Sequence, residues 1–407
     1  MRTIKLLKNT ILNYAWGSLS AIPELLGEQN LSHEPCAELW MGAHPKAPSF
    51  VNCDGKWLPL TELIAKYPQE ILGNDVALAF ANKLPYLFKV LAAAKPLSVQ
   101  AHPSLDQAGD GFEKETRLGI AMDAPNRNYK DDNHKPECIC ALSSFWAMCG
   151  FREISDILAL MGKNCPVGMA RELDLLKKHP DSHGLKHFFT SLMTMDIQRQ
   201  KQVTDEAVRN ANQYLDKDFA FYWMAKLSNE YPNDLGIFAP LLLNLVELKP
   251  GEALFLPPGE LHAYLEGLGL ELMANSDNVL RGGLTPKYVD VSELLKVLNF
   301  KARPIQILEA VSKDKNEQVY ASETDEFVLS LVSTSVGNPY QSSETRNVEI
   351  MLCTEGMASL KDNGTQEIIN IKKGDSVIIP AAVRGYTISG ETLIYKASVP
   401  ELRFFAQ

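Results

Sequence analysis

The sequence contains no apolar run long enough to cross a membrane, and its longest candidates, residues 241–245 and 327–332, have the length of buried strands. Its first residues lack the apolar segment and small-residue cleavage site of a signal peptide. Seven cysteines are scattered along the chain, an odd number that argues against a disulfide framework and for a reducing compartment. We therefore expect a cytoplasmic protein without a membrane partner.

An excess of basic residues is also missing. With 50 acidic and 40 basic side chains, the formal net charge is −10. Nucleic-acid binding requires a basic face, so we expect no nucleic-acid partner. A local basic pocket for a small anion is compatible with this balance.

The chain of 407 residues is too long for one compact core, and its residue pattern changes twice. Residues 1–151 carry short apolar runs broken by glycine, proline and asparagine, which is typical of strands. From 152 to 232, apolar residues recur at three- and four-residue spacing, which predicts a helical insert. Strand character then resumes. We predict a mainly β protein in which residues 1–151 and 233–300 form one domain around the insert and 301–407 form another.

Two stretches of the sequence align without a gap, residues 249–262 with 372–385, at an offset of 123 positions. Each reads as a glycine turn, an acidic residue, a short apolar strand, a proline and a second strand. This register favours two copies of one β-sandwich unit. Gly385 stands where the first copy has His262, so we expect the second copy to bind no metal.

Three separate stretches carry side chains able to bind a metal. Gln100 and His102 share a face of one predicted strand because side chains alternate along it. Glu137 begins a second strand and His262 follows a proline–glycine turn. Each histidine alone is compatible with a core or surface position. Together, two imidazoles, a carboxylate and an amide suit zinc or another borderline divalent ion, with one position open for substrate.

Longer motifs connect the chain to a known family. The turn and strand ending at His262 resemble the second motif of the cupin superfamily, whose jelly-roll barrels hold a metal. The motifs N-Y-A-W-G at 13–17, Q-A-H-P at 100–103 and Y-x-D-x-N-H-K-P-E at 129–137 resemble those of the type I phosphomannose isomerases, as does the run that follows His262. The resemblance implies two cupin-type jelly-roll domains plus a helical domain. It also implies an isomerase that interconverts mannose 6-phosphate and fructose 6-phosphate through a cis-enediol(ate), with one Zn²⁺ per chain.

The same resemblance implies roles for individual residues. The zinc ligands would be Gln100, His102, Glu137 and His262. The catalytic residues would be Arg281, Lys135 and His134. The residues contacting substrate and its phosphate would be Ser98, Lys89, Lys287 and Arg281. The proton-transferring base stays open between Lys135 and His134.

Two other functions fit the barrel pattern: another cupin enzyme, such as an iron oxygenase or a sugar epimerase, and a non-catalytic sugar-binding cupin. The Gln100 amide, beside Arg281 and Lys287, speaks against an oxygenase, whose ligands are generally histidines. A non-catalytic protein leaves Lys135 and Arg281 beside four ligands unexplained. We expect a sugar phosphate as the small-molecule partner, and a monomer.

Overall fold

The structure is a computed structural model that describes residues 1–401. Its first part alternates strands with short helices. These elements are β1 (Lys5–Lys8), β2 (Thr10–Leu12), α1 (Ala21–Leu26), β3 (Glu38–Gly42), β4 (Phe50–Cys53), β5 (Lys56–Pro59), α2 (Leu60–Lys66), α3 (Pro68–Leu72), α4 (Asn74–Ala79), β6 (Tyr86–Ala93), β7 (Val99–Ala101), α5 (Leu105–Arg117), β8 (Glu137–Ala141) and β9 (Phe145–Phe151).

The middle part is helical, as the apolar periodicity predicts. Its helices are α6 (Ile154–Asn164), α7 (Ala170–Lys178), α8 (Ser182–Met193), α9 (Ile197–Ala211), α10 (Phe219–Glu230) and α11 (Ala239–Leu242), with short 3₁₀ turns at 167–169 and 235–238. Aspartates cap the N-termini of three of these helices. The side chains of Asp181, Asp196 and Asp218 each accept a backbone N–H of the first turn.

Strands dominate the remainder of the described chain. They are β10 (Leu243–Leu248), β11 (Ala253–Leu256), β12 (His262–Ala274), β13 (Leu280–Gly283), then after α12 (Val291–Val297) β14 (Val311–Ser312), β15 (Glu317–Tyr320), β16 (Val328–Thr334), β17 (Tyr340–Gln341), β18 (Glu349–Asp362), β19 (Ile368–Lys372), β20 (Ser376–Ile379) and β21 (Tyr386–Ser398). Among residues 1–401, no helix is both long and apolar enough to span a bilayer.

Strands β2, β3 and β6–β13 form one sheet system, here called the first barrel. The long strand β12 links its two sheets, since its early residues pair with β7 and β9 and its later ones with β6 and β8. One apolar cluster of this barrel contains Leu91, Ile139, Phe145 and Leu254.

Strands β14–β21 form the second barrel, built around the pairing of β18 with β21. The N-terminal strand β1 joins this barrel by pairing with β20, with Lys5 opposite Ile378, and β4 and β5 extend the same edge. The sequence places these strands in the domain of residues 1–151, and the structure attaches them to the C-terminal sheet instead. A ladder between segments about 370 residues apart leaves no local trace in the sequence.

The two barrels pack directly against each other. Their shared core contains Phe88 and Val90 of β6 together with Tyr320, Phe327 and Tyr395 of the second barrel, all of them buried. A second large cluster joins the helices to the opposite side of the first barrel. Burial of apolar surface of this extent is the dominant stabilising contribution to folding.

The predicted sequence repeat is a structural repeat. Strands β11 and β20 are both four residues long and stand at the predicted offset. The preceding turns match, with Gly251 at φ +88° and Gly374 at φ +90°, a region that glycine adopts readily. The acidic residue serves the same purpose in each copy. A carboxylate oxygen of Glu252 accepts the N–H of Lys249 at 2.8 Å, and Asp375 accepts that of Lys372 at 2.9 Å.

Candidate metal and substrate site

The predicted metal ligands lie on neighbouring strands of the first barrel. Gln100 is in β7, with His102 just beyond it, Glu137 begins β8 and His262 begins β12. His262 lies opposite Gln100 in the β-ladder. The strands curve around the barrel interior, so their side chains meet across it.

Three of these side chains form a compact buried cluster. Glu137 Oε1 lies 3.2 Å from His102 Nε2, and Glu137 Oε2 lies 3.4 Å from His262 Nε2. One potential ligand atom from each of the three residues lies within 4.8 Å of the other two. All three residues are almost completely buried. Within residues 1–401, this is the only group of histidine, cysteine or carboxylate side chains with such a geometry.

The hydrogen bonds of both imidazoles leave their inner nitrogens free. His102 Nδ1 lies 2.7 Å from the carbonyl oxygen of Asn278, and His262 Nδ1 lies 2.9 Å from that of Glu260. A carbonyl can only accept, so Nδ1 of each ring donates its hydrogen and Nε2 of the neutral ring keeps a lone pair. These two Nε2 lone pairs face the Glu137 carboxylate.

This arrangement fits a bound cation. His102 Nε2 is buried without a hydrogen-bond partner among the described residues, and its lone pair faces a carboxylate oxygen, which is costly unless a cation is bound between them. The fourth predicted ligand, Gln100, has its amide Nε2 3.4 Å from His262 Nε2. Because amide nitrogen and oxygen exchange places by a simple flip, Gln100 is able to present its oxygen to the same point. Two imidazoles, a carboxylate and an amide match the preferences of zinc.

The electrostatics of the cluster keep its ligands ready to bind a metal. Burial, with Lys135 nearby, lowers the pKa of His102 to about 4, so this imidazole is neutral at pH 7. Burial alone would raise the pKa of Glu137. The charge of Lys135 is the largest influence opposing burial, and the pKa of Glu137 is held well below its usual range. Lys135 Nζ lies 2.9 Å from Glu137 Oε1, which puts this predicted catalytic residue directly beside the cluster.

Lys89, predicted to contact substrate, is buried and pairs with a carboxylate. Its Nζ is 2.7 Å from Glu271 Oε2 and sits 5.1 Å from the centre of the Trp40 ring. The side chain is 7% exposed. Burial disfavours the charged form of Lys89, but Glu271 and Glu38 outweigh burial and raise its pKa. The structure thus gives Lys89 a carboxylate partner, and sequence analysis missed Glu271 because 182 residues separate the two.

Arg281 and Lys287, two of the residues predicted to bind phosphate, have no carboxylate partner among residues 1–401. Arg281 is half-buried on β13, opposite Gln100 in the ladder, and burial is the only influence that lowers its pKa. Burial, followed by the charges of Arg281 and Lys130, lowers the pKa of Lys287. Ser98 is half-buried just before β7, whose Val99 pairs with Gly283, two residues after Arg281. Lys130 was missed, although it lies within the 129–137 motif.

His134 makes its main contact away from the cluster. Its Nε2 lies 2.6 Å from Oε1 of Glu326, a residue of the second barrel. No sequence signal identifies Glu326, which is 192 residues away.

Asn278 was also missed, and it organises the loop before Glu137. Its carbonyl holds His102, its Oδ1 accepts the N–H of Lys130 at 2.6 Å, and its Nδ2 donates to the carbonyls of Asp131 and Asn133. The sequence feature that could have identified Asn278 is its position in the polar run after His262.

A buried His–Glu–His cluster inside one of two packed β-barrels defines a cupin with a candidate metal site. Family models agree with this description. The model for the catalytic domain of type I phosphomannose isomerase matches residues 4–154, and the model for its helical insertion domain matches 168–243. The mannose-6-phosphate isomerase cupin domain model matches 316–398.

Whole-chain comparisons extend this match. Mannose-6-phosphate isomerase of Escherichia coli strain K12 is 43% identical over 387 residues, covering 94% of this chain and 96% of that protein. The Schizosaccharomyces pombe enzyme of the same name is 34% identical over 400 residues, covering 91% and 90%. A crystal structure of zinc-bound mannose 6-phosphate isomerase has a TM-score of 0.89 and 39% identity over 97% of this chain and 99% of its own. A point mutant of phosphomannose isomerase from Salmonella typhimurium has a TM-score of 0.90 at 38% identity, with the same coverage. The chain belongs to the type I phosphomannose isomerase family.

Proposed function

We propose that the chain is a zinc-dependent aldose–ketose isomerase that interconverts mannose 6-phosphate and fructose 6-phosphate through a cis-enediol(ate) intermediate. The observation that carries the proposal is the buried cluster of His102, Glu137 and His262, with Lys135 against it and Arg281 on a neighbouring strand. Relatives named for this activity cover almost the whole chain, and two structural neighbours are zinc-bound.

Gln100, His102, Glu137 and His262 would hold one zinc ion. Zinc held by three neutral ligands and one carboxylate keeps net positive charge and supplies a Lewis acid for the sugar oxygen on which negative charge develops. The Asn278 and Glu260 carbonyls keep both imidazoles in the required tautomer.

The phosphate end of the substrate is assigned to Arg281, Lys287 and Ser98, and we add Lys130 to this group. Arg281 and Lys130 affect the pKa of Lys287 through their charges, so the three cations act on one region. Binding a group that does not react orients C1 and C2 at the reacting centre. The acidic net charge of the whole chain does not oppose this, because only the pocket needs to be positive.

Isomerisation moves a proton between C2 and C1 while the neighbouring oxygens exchange carbonyl and hydroxyl character. Lys135, beside Glu137, is placed to stabilise charge on those oxygens. Lys135 and His134 both remain assigned to proton transfer, and separate replacement by alanine distinguishes them. The variant that lacks the base should fail to exchange the C2 hydrogen of mannose 6-phosphate with solvent while it still binds the sugar.

A coupled assay for fructose 6-phosphate formation, run with and without a chelator, tests the proposal. Turnover that is lost on chelation and restored by zinc supports it. A zinc-loaded protein without turnover rejects it in favour of another cupin function. The proposal also describes a cytoplasmic monomer, which a solution mass measurement and cell fractionation test.

A further inference from the structure

The second barrel reaches the active-site loop through one side chain. Glu326 lies in the segment between β15 and β16, and its Oε1 is 2.6 Å from Nε2 of His134. Its side chain is 10% exposed and that of His134 is 22% exposed, so little water competes for the contact. His134 precedes Lys135 directly and Glu137 by three residues.

Neighbouring residues of its own segment hold the Glu326 carboxylate in place. Its second oxygen accepts the hydroxyl hydrogen of Thr324. The next residue, Phe327, is fully buried in the core between the barrels, and its carbonyl accepts the Ser322 hydroxyl at 2.9 Å. Burying a carboxylate is expensive unless both oxygens are paired, so this geometry marks a specific contact and not a surface pair.

Residues of the first barrel fix the backbone around His134, whereas its imidazole ring is hydrogen-bonded to Glu326. Asn133 accepts the His134 N–H at 3.0 Å, and Asn133 itself is bonded to the carbonyl of Asn275 and to the amide of Asn278. Among the described residues, the ring has no other hydrogen-bond partner than Glu326. A carboxylate accepts only, so the hydrogen of the neutral ring sits on Nε2 and Nδ1 carries a lone pair.

We propose that Glu326 is a positioning residue which the second barrel contributes to the active site, where it fixes the orientation and tautomer of His134. This inference rests on the proposed isomerase function and on a role for His134 in the reaction. It gives the C-terminal barrel, which has no candidate metal cluster among its described residues, a part in the chemistry.

The test compares three variants of the full-length, zinc-loaded protein. Glu326→Ala removes the acceptor and should lower kcat about tenfold or more, with KM changed much less, because the loss concerns a reacting group. Glu326→Gln should keep at least half of kcat, since its amide oxygen still accepts from His134 and the Thr324 hydroxyl is able to accept from its NH₂. Glu323→Gln, an exposed residue of the same segment, is the matched control and should behave as wild type.

A double-mutant cycle shows whether Glu326 acts through His134. If it does, the kcat of the double variant Glu326→Ala/His134→Ala should be within about twofold of the kcat of His134→Ala alone, because the effects of contacting residues are not additive. A general structural defect would instead lower zinc content or Tm, and its effect on kcat would add to that of His134→Ala. Zinc per chain and Tm are measured for every variant.

Several results would overturn the inference. They are a wild-type kcat for Glu326→Ala, full additivity in the cycle, or a slow Glu326→Ala beside a fully active His134→Ala. If Glu326→Ala does not fold, Glu326→Asp replaces it, because the shorter side chain withdraws the acceptor. If the turnover of His134→Ala is too slow to measure, the kcat of Glu326→Gln must exceed that of Glu326→Ala by at least about fivefold. Absence of activity in the wild type would instead reject the isomerase itself.

Discussion

Glu349 occupies in the second barrel the ladder position that Glu137 occupies in the first. Glu137 lies opposite Leu256 and Glu349 lies opposite Ile379, and these partners correspond in the sequence repeat. Each glutamate also accepts a tyrosine hydroxyl: Tyr264 donates to Glu137 at 3.2 Å, and Tyr386 donates to Glu349 at 2.9 Å.

The two positions differ in what neutralises the carboxylate. In the first barrel the carboxylate faces two imidazoles and Lys135. In the second barrel Arg346 Nη1 lies 3.4 Å from Glu349 Oε2, and Lys396 Nζ lies 2.7 Å from Glu317 Oε1 and 3.5 Å from Glu349 Oε1. The lysine is 4% exposed. In the second copy, two buried side-chain cations supply positive charge beside the carboxylate, where a metal would add it in the first copy.

Lys396→Met should therefore destabilise the protein strongly. It removes the buried ammonium group that pairs with Glu317, whose other cation, Lys313, is 58% exposed, and breaking a buried pair in this way typically costs about 3–5 kcal/mol. Urea unfolding of the zinc-loaded protein measures the change. Lys372→Met, at an exposed strand position, is the control and should stay within about 0.5 kcal/mol of wild type. A Lys396→Met variant as stable as this control would contradict the assigned role.

Stability of the metal-free protein should fall as pH drops. The pKa of His102 in the folded chain is about 4, below the value of about 6.5 for an unfolded histidine, so the unfolded state binds more protons between these values. Stability contributed by neutral His102 is therefore present above about pH 6.5 and is lost progressively down to about pH 4, by about 3 kcal/mol at most.

Unfolding of the chelated protein at several pH values checks this effect. His102→Gln should reduce the pH dependence of the free energy of unfolding by about one proton between about pH 4 and pH 6.5. His183→Gln, at an exposed position on α8, should leave it unchanged. Equal slopes for wild type and His102→Gln would contradict the burial argument.

Arg281→Ala should keep its zinc yet lose most of its turnover. Arg281 is not a member of the buried cluster, so the metal ligands are untouched, while removal of one charge-stabilising donor typically costs about 10²–10³ in kcat. Zinc content and steady-state kinetics measure both parts. Arg209→Ala, on the exposed side of α9, is the control. A near-normal rate in Arg281→Ala would remove it from the mechanism.

Lys287→Ala should mainly raise KM for mannose 6-phosphate. Lys287 is exposed and belongs to the cationic group assigned to the phosphate, which binds equally in substrate and transition state. Loss of one charge-assisted contact predicts a rise of about tenfold, with kcat changed much less. The exposed Lys301→Ala serves as the control. A KM equal to that of the control would place the phosphate elsewhere.

Prediction from sequence was most successful where a contact depends on local periodicity. The strand alternation around Gln100 and His102, and the turn before His262, were sufficient to nominate the ligand set. The repeat offset predicted the second β unit. Each strand and turn used in these predictions is encoded by residues within about a dozen positions of one another, which is the range over which period and turn chemistry act.

Contacts made by docking of the barrels were invisible in the sequence. Glu326 reaches His134 and β1 pairs with β20 only because the shared core around Phe88 and Tyr395 fixes how the barrels sit. The Lys89–Glu271 pair was missed for a related reason, since its partners come from adjacent strands that are far apart in the chain. Register between distant strands has no single-sequence signature.

The central claim is that one zinc ion, bound by residues of the first barrel, is required for interconversion of mannose 6-phosphate and fructose 6-phosphate. Elemental analysis paired with the isomerase assay, on wild type and His262→Ala, tests it most directly, with His183→Ala as the control. We predict one zinc per chain and full activity in wild type and control, and loss of both in His262→Ala. A His262→Ala variant that retains one zinc per chain, or a zinc-loaded wild type without turnover, would contradict the account.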